Sequence, residues 1–239
     1  MKIVYSSLLL LFLTIGLWAQ ERGLGNPKTV YIEKGTLAAG ISGSYRGWDT
    51  KDGMSLMGIV TDTDGSLTYG VVDAHAAWFF MDNTSLVVTA GYTNTAFDGN
   101  SAKVAGIMDL SNKHLRREKY SASIGARRYQ PLFNSKILAM FGEGRITGSR
   151  GYSKNYSITD RGKEGSYTDL YSVSFDVLAG ISVFVTNQLA LQAKLPVASF
   201  GYEWKKQTEA LVKDSSYSGL KLSSQTDFLG ISIGTVYHF

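Results

Sequence analysis

Cysteine is absent from the 239-residue chain, proline occurs only three times, and charged residues make up 18% of the composition. The lack of cysteine excludes a disulfide scaffold and a zinc site built on thiolates. After the first twenty residues no apolar run approaches the roughly 18 to 20 residues that a membrane-spanning helix needs, which excludes a helical membrane bundle. The net charge of +4 is small for this length and argues against a nucleic-acid partner. With 44% hydrophobic and 12% aromatic residues, the chain is also not a disordered one.

The first residues follow the pattern of a secretory signal peptide. Lys2 supplies a positive start, an apolar stretch runs from Leu8 to Leu17, and Leu17-Trp18-Ala19 suits signal peptidase. We therefore expect residues 1–19 to be removed and the exported chain to begin at Gln20. A retained anchor helix is the alternative, but the apolar run is short for a bilayer and no stop-transfer charges follow it.

From Thr36 onward, large apolar residues alternate with small or polar residues in segments of about ten positions, which is the period of a β-strand with different surroundings on its two faces. The sequence predicts eight such strands, over Leu37 to Trp48, Leu67 to Phe80, Ser85 to Thr93, Tyr120 to Tyr129, Lys136 to Ser149, Tyr171 to Val185, Leu189 to Tyr202 and Leu229 to Phe239. Pro196 interrupts the seventh strand. We expect a bulge or weak pairing there, because proline cannot donate a hydrogen bond to the ladder.

The connections between these segments alternate in length. Three are tight turns with Asn, Asp or Pro, at Met81 to Thr84, Gln130 to Ser135 and Thr186 to Gln188. Four others are long and polar, near Asp49 to Ser66, Asn94 to Lys119, Arg150 to Asp169 and Glu203 to Gly219. Short turns at one end, long loops at the other and an even number of strands predict an all-β chain, an eight-stranded antiparallel up-and-down transmembrane β-barrel of the outer membrane. Its domain is expected to span 20–239, with the barrel itself over about 36–239.

Charge separates the two faces of the predicted strands. The apolar faces carry no charge apart from Arg128, which lies beside a short turn and can extend to the headgroups; a charge at mid-bilayer would cost about 2 to 4 kcal/mol. Seven charged residues fall on the opposite faces: Arg46, Asp73, Arg127, Glu143, Arg145, Asp176 and Lys194. We predict that they form an interior ion-pair network in a barrel filled by its own side chains, with a narrow ion path as the alternative. A soluble lipocalin-like barrel would need a charged exterior, whereas the polar faces here are mostly Ser, Gly and Thr.

Three short motifs suggest a family. The chain has Phe239 with aromatic or apolar residues on alternate positions before it, Trp78-Phe79-Phe80-Met81-Asp82-Asn83 leads into Leu86, and Ala126-Arg127-Arg128-Tyr129 precedes Pro131. With these motifs, the chain from Thr36 to Phe239 resembles the small outer-membrane β-barrel proteins similar to OmpX and to the OmpA barrel domain. The resemblance implies that Tyr237 and Phe239 form an assembly signal that the outer-membrane insertion machinery reads.

Function is expected to reside in the long loops, which a rigid barrel would hold on the cell exterior. A basic cluster is predicted to contact the phosphates of the outer-leaflet glycolipid, with a solvated loop base as the alternative: Lys113, Arg116, Arg117 and Lys119. His114 shares this loop with Ser111 and Asp109, but such a trio is common by chance, and catalytic triads are recognised by geometry. We therefore expect no enzyme activity, no cofactor and no metal site.

The sequence thus predicts a non-enzymatic outer-membrane barrel with an envelope-structural, adhesive or complex-accessory role. Its expected partners are outer-membrane lipid and glycolipid, the insertion machinery and a larger envelope complex, and not nucleic acid. The alternatives are a small outer-membrane channel and, with less support, an outer-membrane lipid-modifying enzyme.

Overall fold

The computed structural model describes residues 30–50, 60–104, 108–109, 113–133, 135–159, 162–209, 213–224 and 231–239. No helix in these ranges is long and apolar enough to cross a membrane. Ten strands are present in them: β1 (Leu37–Thr50), β2 (Val60–Met81), β3 (Thr84–Val104), β4 (Met108–Asp109), β5 (Lys113–Pro131), β6 (Leu138–Thr159), β7 (Gly162–Phe184), β8 (Leu189–Glu209), β9 (Lys213–Ser224) and β10 (Ser232–His238). The predicted signal peptide, residues 1–19, lies outside the described residues.

The strands form one antiparallel ring. Consecutive strands pair from β1 to β9, except that β4 adds only two residues beside the end of β3, and β5 takes the next position. β10 pairs with β1 and with the first part of β8, while β9 pairs with the remainder of β8. β9 and β10 therefore share one position, and the chain closes as the predicted eight-stranded up-and-down barrel.

The strands are longer than the alternating pattern predicts. Six of them have 19 to 23 residues, whereas about 9 to 11 residues suffice to cross a bilayer at a tilt. β6 and β7 remain paired as far as Thr159 and Gly162, and β8 and β9 as far as Glu209 and Lys213. The prediction of long loops over these links was wrong. Polar residues occupy both faces of a solvated hairpin, so the alternation by which a strand is recognised in the sequence is missing there.

The two faces of the barrel wall have opposite polarity. Large apolar side chains on the outward face are exposed, among them Ile41, Val88, Ile146 and Phe175. Positions between them point inward and bury polar groups such as Ser85, Thr89, Gln192 and Lys194. Arg128 is exposed on the outward face beside a short turn, where the sequence places it. The wall is thus built to meet hydrocarbon on its outer side.

A bulge in β8 changes which residues point inward. Pro196 lies opposite Leu178, while Ala198 lies opposite Val177, so Val197 is left without a counterpart. Proline has no N–H to donate to the ladder, and the extra residue of a bulge lets the strand continue past the missing hydrogen bond. The register shift confirms the predicted irregularity. Because one residue is inserted, an even-numbered position before the bulge (Lys194) and an odd-numbered position after it (Ser199) both face the lumen.

A segment ahead of β1 enters the barrel at the end where the short turns lie. Tyr31 and Ile32, here called the N-terminal plug, are buried with 2% and 4% exposure. Their backbone amides both donate to Asn83 Oδ1, at 2.7 and 2.9 Å. The Tyr31 hydroxyl donates to the Ser182 carbonyl at 3.0 Å, and its ring lies 4.9 Å from that of Phe184. Sequence analysis missed this plug, because its burial arises only when the distant strands close around it.

The N-terminal plug packs into an apolar layer that fills this end of the lumen. Phe79, Tyr129, Phe141 and Phe184, here called the apolar floor, are all at most 3% exposed. Gly180 makes room for one of these rings, since a Cβ there would come within 2.3 Å of Phe141 Cζ. The lumen therefore begins with a packed aromatic layer rather than an opening.

Candidate functional site

Charged and polar side chains form a network directly above the apolar floor. Arg127 and Glu143 lie opposite each other on β5 and β6, and each side chain is only 2% exposed. Arg127 donates from Nε to Glu143 Oε2 at 2.7 Å, and from Nη1 to the Tyr129 hydroxyl at 3.2 Å and to Gln192 Oε1 at 3.0 Å. Gln192 in turn donates to the Tyr129 oxygen at 2.9 Å. The buried guanidinium is therefore held by a carboxylate and two neutral acceptors, which offset the cost of its desolvation.

The ion pairs continue from Glu143 onto the next strands. Arg145 lies opposite Asp176 on β7, with its Nε 3.6 Å from Asp176 Oδ2 and its Nη1 3.9 Å from Glu143 Oε1. Asp176 accepts hydrogen bonds from Thr147 at 2.5 Å and from Ser199 at 2.6 Å. Two hydroxyl groups thus donate short hydrogen bonds to Asp176, whereas the Arg145 guanidinium lies farther from this carboxylate.

A separate ion pair joins two strands that are not neighbours in the ring. Lys194 Nζ on β8 donates to Asp73 Oδ2 on β2 at 2.9 Å, and both side chains are largely buried. Six of the seven predicted interior charges are therefore brought together in two sets, Arg127–Glu143–Arg145–Asp176 and Lys194–Asp73. The seventh, Arg46, also faces the lumen but forms no hydrogen bond or ion pair with any residue that the structure describes.

Above the network the lumen opens into a cavity of about 490 Å³. Asp73, Arg145 and Lys194 lie along it, and its wall rises to Arg46 and Tyr69, which are opposite each other on β1 and β2. The lumen consequently has three levels: the apolar floor with the N-terminal plug, the charged network, and a polar cavity on the side of the long strand extensions.

The predicted basic cluster is divided between the two faces of β5. Arg116 points outward, with 57% of its side chain exposed, and contacts Asp98 at 3.2 Å. Arg117 points inward, where its Nη2 lies 3.8 Å from Glu203 Oε2, and Lys119 lines the cavity. Lys113 is the first residue of β5, and its side chain lies outside the described part of the chain. The four residues therefore do not form one patch, because alternate residues of a strand face opposite sides.

A row of side chains marks the upper limit of the apolar belt. Tyr92, Tyr120, Arg150, Tyr171 and Trp204 lie opposite one another on the outward face of five adjacent strands. We call them the outer aromatic row. Aromatic girdles occur where hydrocarbon gives way to headgroups. The parts of the strands beyond this row therefore project out of the bilayer.

The terminal aromatic residues lie on the outward face at the opposite end of the barrel. The rings of Tyr237 and Phe239 are 5.0 Å apart, and the Phe239 amide donates to the Leu37 carbonyl at 2.8 Å. Recognition of these two residues by the insertion machinery stays a prediction.

His114 has a carboxylate partner, although a different one from those that its loop suggested. Its Nδ1 lies 2.8 Å from Asp98 Oδ1, and its ring stacks on Tyr156 at 4.8 Å. Asp109 lies on β4, and Ser111 is outside the described residues. His114 thus connects three strands of the extension, β3, β5 and β6.

Sequence reasoning missed two members of the network. Tyr129 and Gln192 both stand at inward positions, and Tyr129 follows Arg127 by two residues on the same strand. Inward alternation was the available signal for both. The pattern alone does not tell which polar residue meets the guanidinium, because Gln192 lies on β8 and reaches it across the lumen.

A closed antiparallel barrel, an apolar outer belt bounded by aromatic residues and a polar inner face define an integral β-barrel protein of the outer membrane. Solved structures to which the chain is similar include Ail, the attachment invasion locus protein of Yersinia pestis, with 12% identity and a TM-score of 0.41 over 86% of this chain and 99% of that one. OprG from Pseudomonas aeruginosa is another, with 13% identity and a TM-score of 0.46 over 88% of this chain and 99% of that one. A major outer membrane protein from Thermus thermophilus has 7% identity and a TM-score of 0.47 over 85% of this chain and 99% of that one. No protein-family model matches the sequence, and neither does any curated protein.

Proposed function

We propose that this protein is a non-enzymatic outer-membrane barrel with a closed lumen, which serves an envelope-structural, adhesive or complex-accessory role through its strand extensions. The observation that carries the proposal is the hydrogen-bonded network that crosses the lower part of the lumen. Arg127, Glu143, Tyr129 and Gln192 are hydrogen-bonded to one another across it, and the N-terminal plug lies below them. An eight-stranded barrel has an interior that its own side chains fill. This interior stabilises the barrel and is not organised to conduct ions.

The strand extensions supply the surface for such a role. From the outer aromatic row to the end of β6 at Thr159 there is roughly 30 Å of strand at the usual rise per residue. β7 remains hydrogen-bonded to it throughout, and β8 and β9 form a second extended pair. Contact surfaces are effective when a rigid scaffold holds them in place. These paired strands act as such a scaffold outside the membrane.

In planar bilayers, the folded wild-type protein is expected to give no unit conductance steps. The reason is that buried side chains of the charged network and the apolar floor extend across the lumen, where Gln192 on β8 is bonded to Arg127 on β5. The measurement is single-channel recording on protein whose folding is checked by heat-modifiable migration in detergent gels. Regular steps of one size from the folded protein would contradict the closed lumen and favour a small channel.

The outward face of the extensions also carries the glycolipid contact in this proposal. Arg116 and Lys154 lie opposite each other on β5 and β6, and both are exposed. Arg116 is paired with Asp98 at 3.2 Å and Lys154 lies over the Tyr152 ring, so a phosphate beside the two cations would add a second counter-charge. Beside them, the hydrogen bond to the Glu118 carboxylate raises the pKa of Tyr152 to about 12. A tyrosine phenol is neutral at physiological pH with or without this shift, and here it adds a hydrogen-bonding group next to a pair of cations, which suits the phosphorylated sugars of an outer-leaflet glycolipid.

Arg116→Gln is expected to weaken the binding of purified lipopolysaccharide by about fivefold, since one surface cation contributes about 1 kcal/mol at an anionic membrane surface. The measurement is binding of lipopolysaccharide to immobilised protein in mild detergent. Arg117→Gln is the matched control, because the neighbouring arginine faces the lumen and should leave binding unchanged. Equal affinities for the wild type and Arg116→Gln would remove this residue from the contact.

A further inference from the structure

The cavity above the charged network has the dimensions of a ligand site. Its volume of about 490 Å³ lies within the roughly 300 to 1,000 Å³ of sites that hold small molecules. Below it, the Lys194–Asp73 ion pair and the Arg127–Glu143 ion pair separate it from the apolar floor. A solute would therefore enter from the side of the extensions, which is the cell exterior, and would stop inside the barrel.

The side chains that line this cavity carry more positive than negative charges. Four basic side chains line it, and the three carboxylates that line it are all engaged. Asp73 is paired with Lys194, Asp176 accepts from two hydroxyls and faces an arginine, and Glu203 lies 2.7 Å from Lys205 Nζ. None of these carboxylates forms an ion pair with Arg46.

Two guanidinium groups have N–H donors that form no hydrogen bond with the described residues. Arg46 makes no hydrogen bond or ion pair with the described residues, although it is partly buried at the cavity wall. Arg145 Nε is buried and lies 3.6 Å from Asp176 Oδ2, within an ion pair but too far for a hydrogen bond. A buried donor without an acceptor is costly. Guanidinium groups bind carboxylates and phosphates through two parallel hydrogen bonds, so an oxyanion is the acceptor that fits.

Hydroxyl-bearing residues lie on the strands beside Arg46. Tyr69 lies opposite Arg46, Thr95 lies opposite Tyr69, and Thr93 lies opposite Lys119 one step lower on the same inner wall. All of these side chains line the cavity. Hydroxyls can both donate to and accept from a polyhydroxylated molecule. The wall therefore combines cations with the groups that bind sugar hydroxyls.

We propose that this cavity binds a small hydrophilic oxyanion from the cell exterior, a carboxylated or phosphorylated sugar unit, with Arg46 as the residue that contacts its anionic group. The site is independent of the proposed closed-lumen function and of the outward-facing glycolipid contact. The cavity lies inside the barrel, whereas Arg116 and Lys154 lie outside it.

Isothermal titration of the folded protein in detergent tests the site with three probes: glucuronate, inorganic phosphate and glucose. Binding of either anion at concentrations up to about 10 mM, with no binding of glucose, is the expected result. Glucuronate as the tighter anion would assign a sugar carboxylate, and phosphate as the tighter one a phosphorylated unit. Absence of binding by both anions, or equal binding of glucose, would overturn the proposal.

Arg46→Gln is expected to weaken anion binding by about tenfold, and Arg46→Lys to weaken it less, because lysine keeps the charge but loses the planar fork. Arg128→Gln is the control with the same change of charge, because Arg128 is exposed on the outward face and belongs to neither proposed binding site. Heat-modifiable migration shows that each variant is folded. Unchanged affinity in folded Arg46→Gln would exclude Arg46 from the site and contradict the assignment.

Discussion

Replacing Glu143 with alanine is expected to cost about 3 to 5 kcal/mol of folding free energy, because a buried arginine is left without its counter-charge. Arg127 is 2% exposed and donates to this carboxylate from two of its nitrogens. Tyr129 and Gln192 remain as acceptors, but neither carries a negative charge. The measurement is the temperature at which the folded barrel changes to the unfolded migration on a detergent gel.

Two variants separate loss of the ion pair from general damage to the barrel. The double variant Arg127→Met, Glu143→Leu removes both charges and should recover part of the lost stability, because no unpaired arginine remains while the buried Gln192 Oε1 loses its donor. Arg128→Ala changes the neighbouring arginine on the outward face and should stay within about 0.5 kcal/mol of the wild type. A Glu143→Ala transition at the wild-type temperature would show that this pair does not hold the lumen together.

Tyr31→Ala is expected to produce a loss of similar size, about 3 to 5 kcal/mol, because a large buried ring is removed from a closely packed site. The ring lies 4.9 Å from Phe184 and 5.7 Å from Tyr129, and its hydroxyl donates to Ser182. Tyr31→Phe keeps the packing and loses only the hydroxyl contacts, so it should cost about 1 kcal/mol. The same gel transition measures both variants.

Glu33→Ala is the matched control for the plug. Glu33 belongs to the same segment but is exposed, so its removal should leave the transition unchanged. If Tyr31→Ala melted at the temperature of this control, the segment would not be docked in the barrel. A graded series of alanine, phenylalanine and wild-type tyrosine would instead support its burial.

The strand centres and their inward residues could be predicted because they depend on a local rule. Successive side chains of a strand face opposite sides, and a lipid-facing side rejects charge. Asp73, Arg145 and Asp176 therefore had to point inward wherever the strands paired. The bulge at Pro196 was predictable for a similar reason, since the missing N–H belongs to the residue itself.

The partners of these residues could not be predicted in the same way. Asp73 and Lys194 are separated by 121 positions, and which charges meet across the lumen depends on the stagger of the whole ring. The same stagger leaves Arg46 without an acceptor among the described residues and opens the cavity beside it. The N-terminal plug is a further case, because Tyr31 is buried by strands that follow it in the chain.

The junction of β1 with β10 has a consequence for the order of folding. Phe239 donates to Leu37 there, and the ring of His238 lies 4.9 Å from that of Phe184, which also packs on Tyr31. Hairpins between consecutive strands close short loops, whereas this pairing closes nearly the whole chain, and contacts of such long range form late. We therefore expect the floor to exclude water only after this pairing has formed, so that an incompletely inserted barrel would still admit water at its lower end.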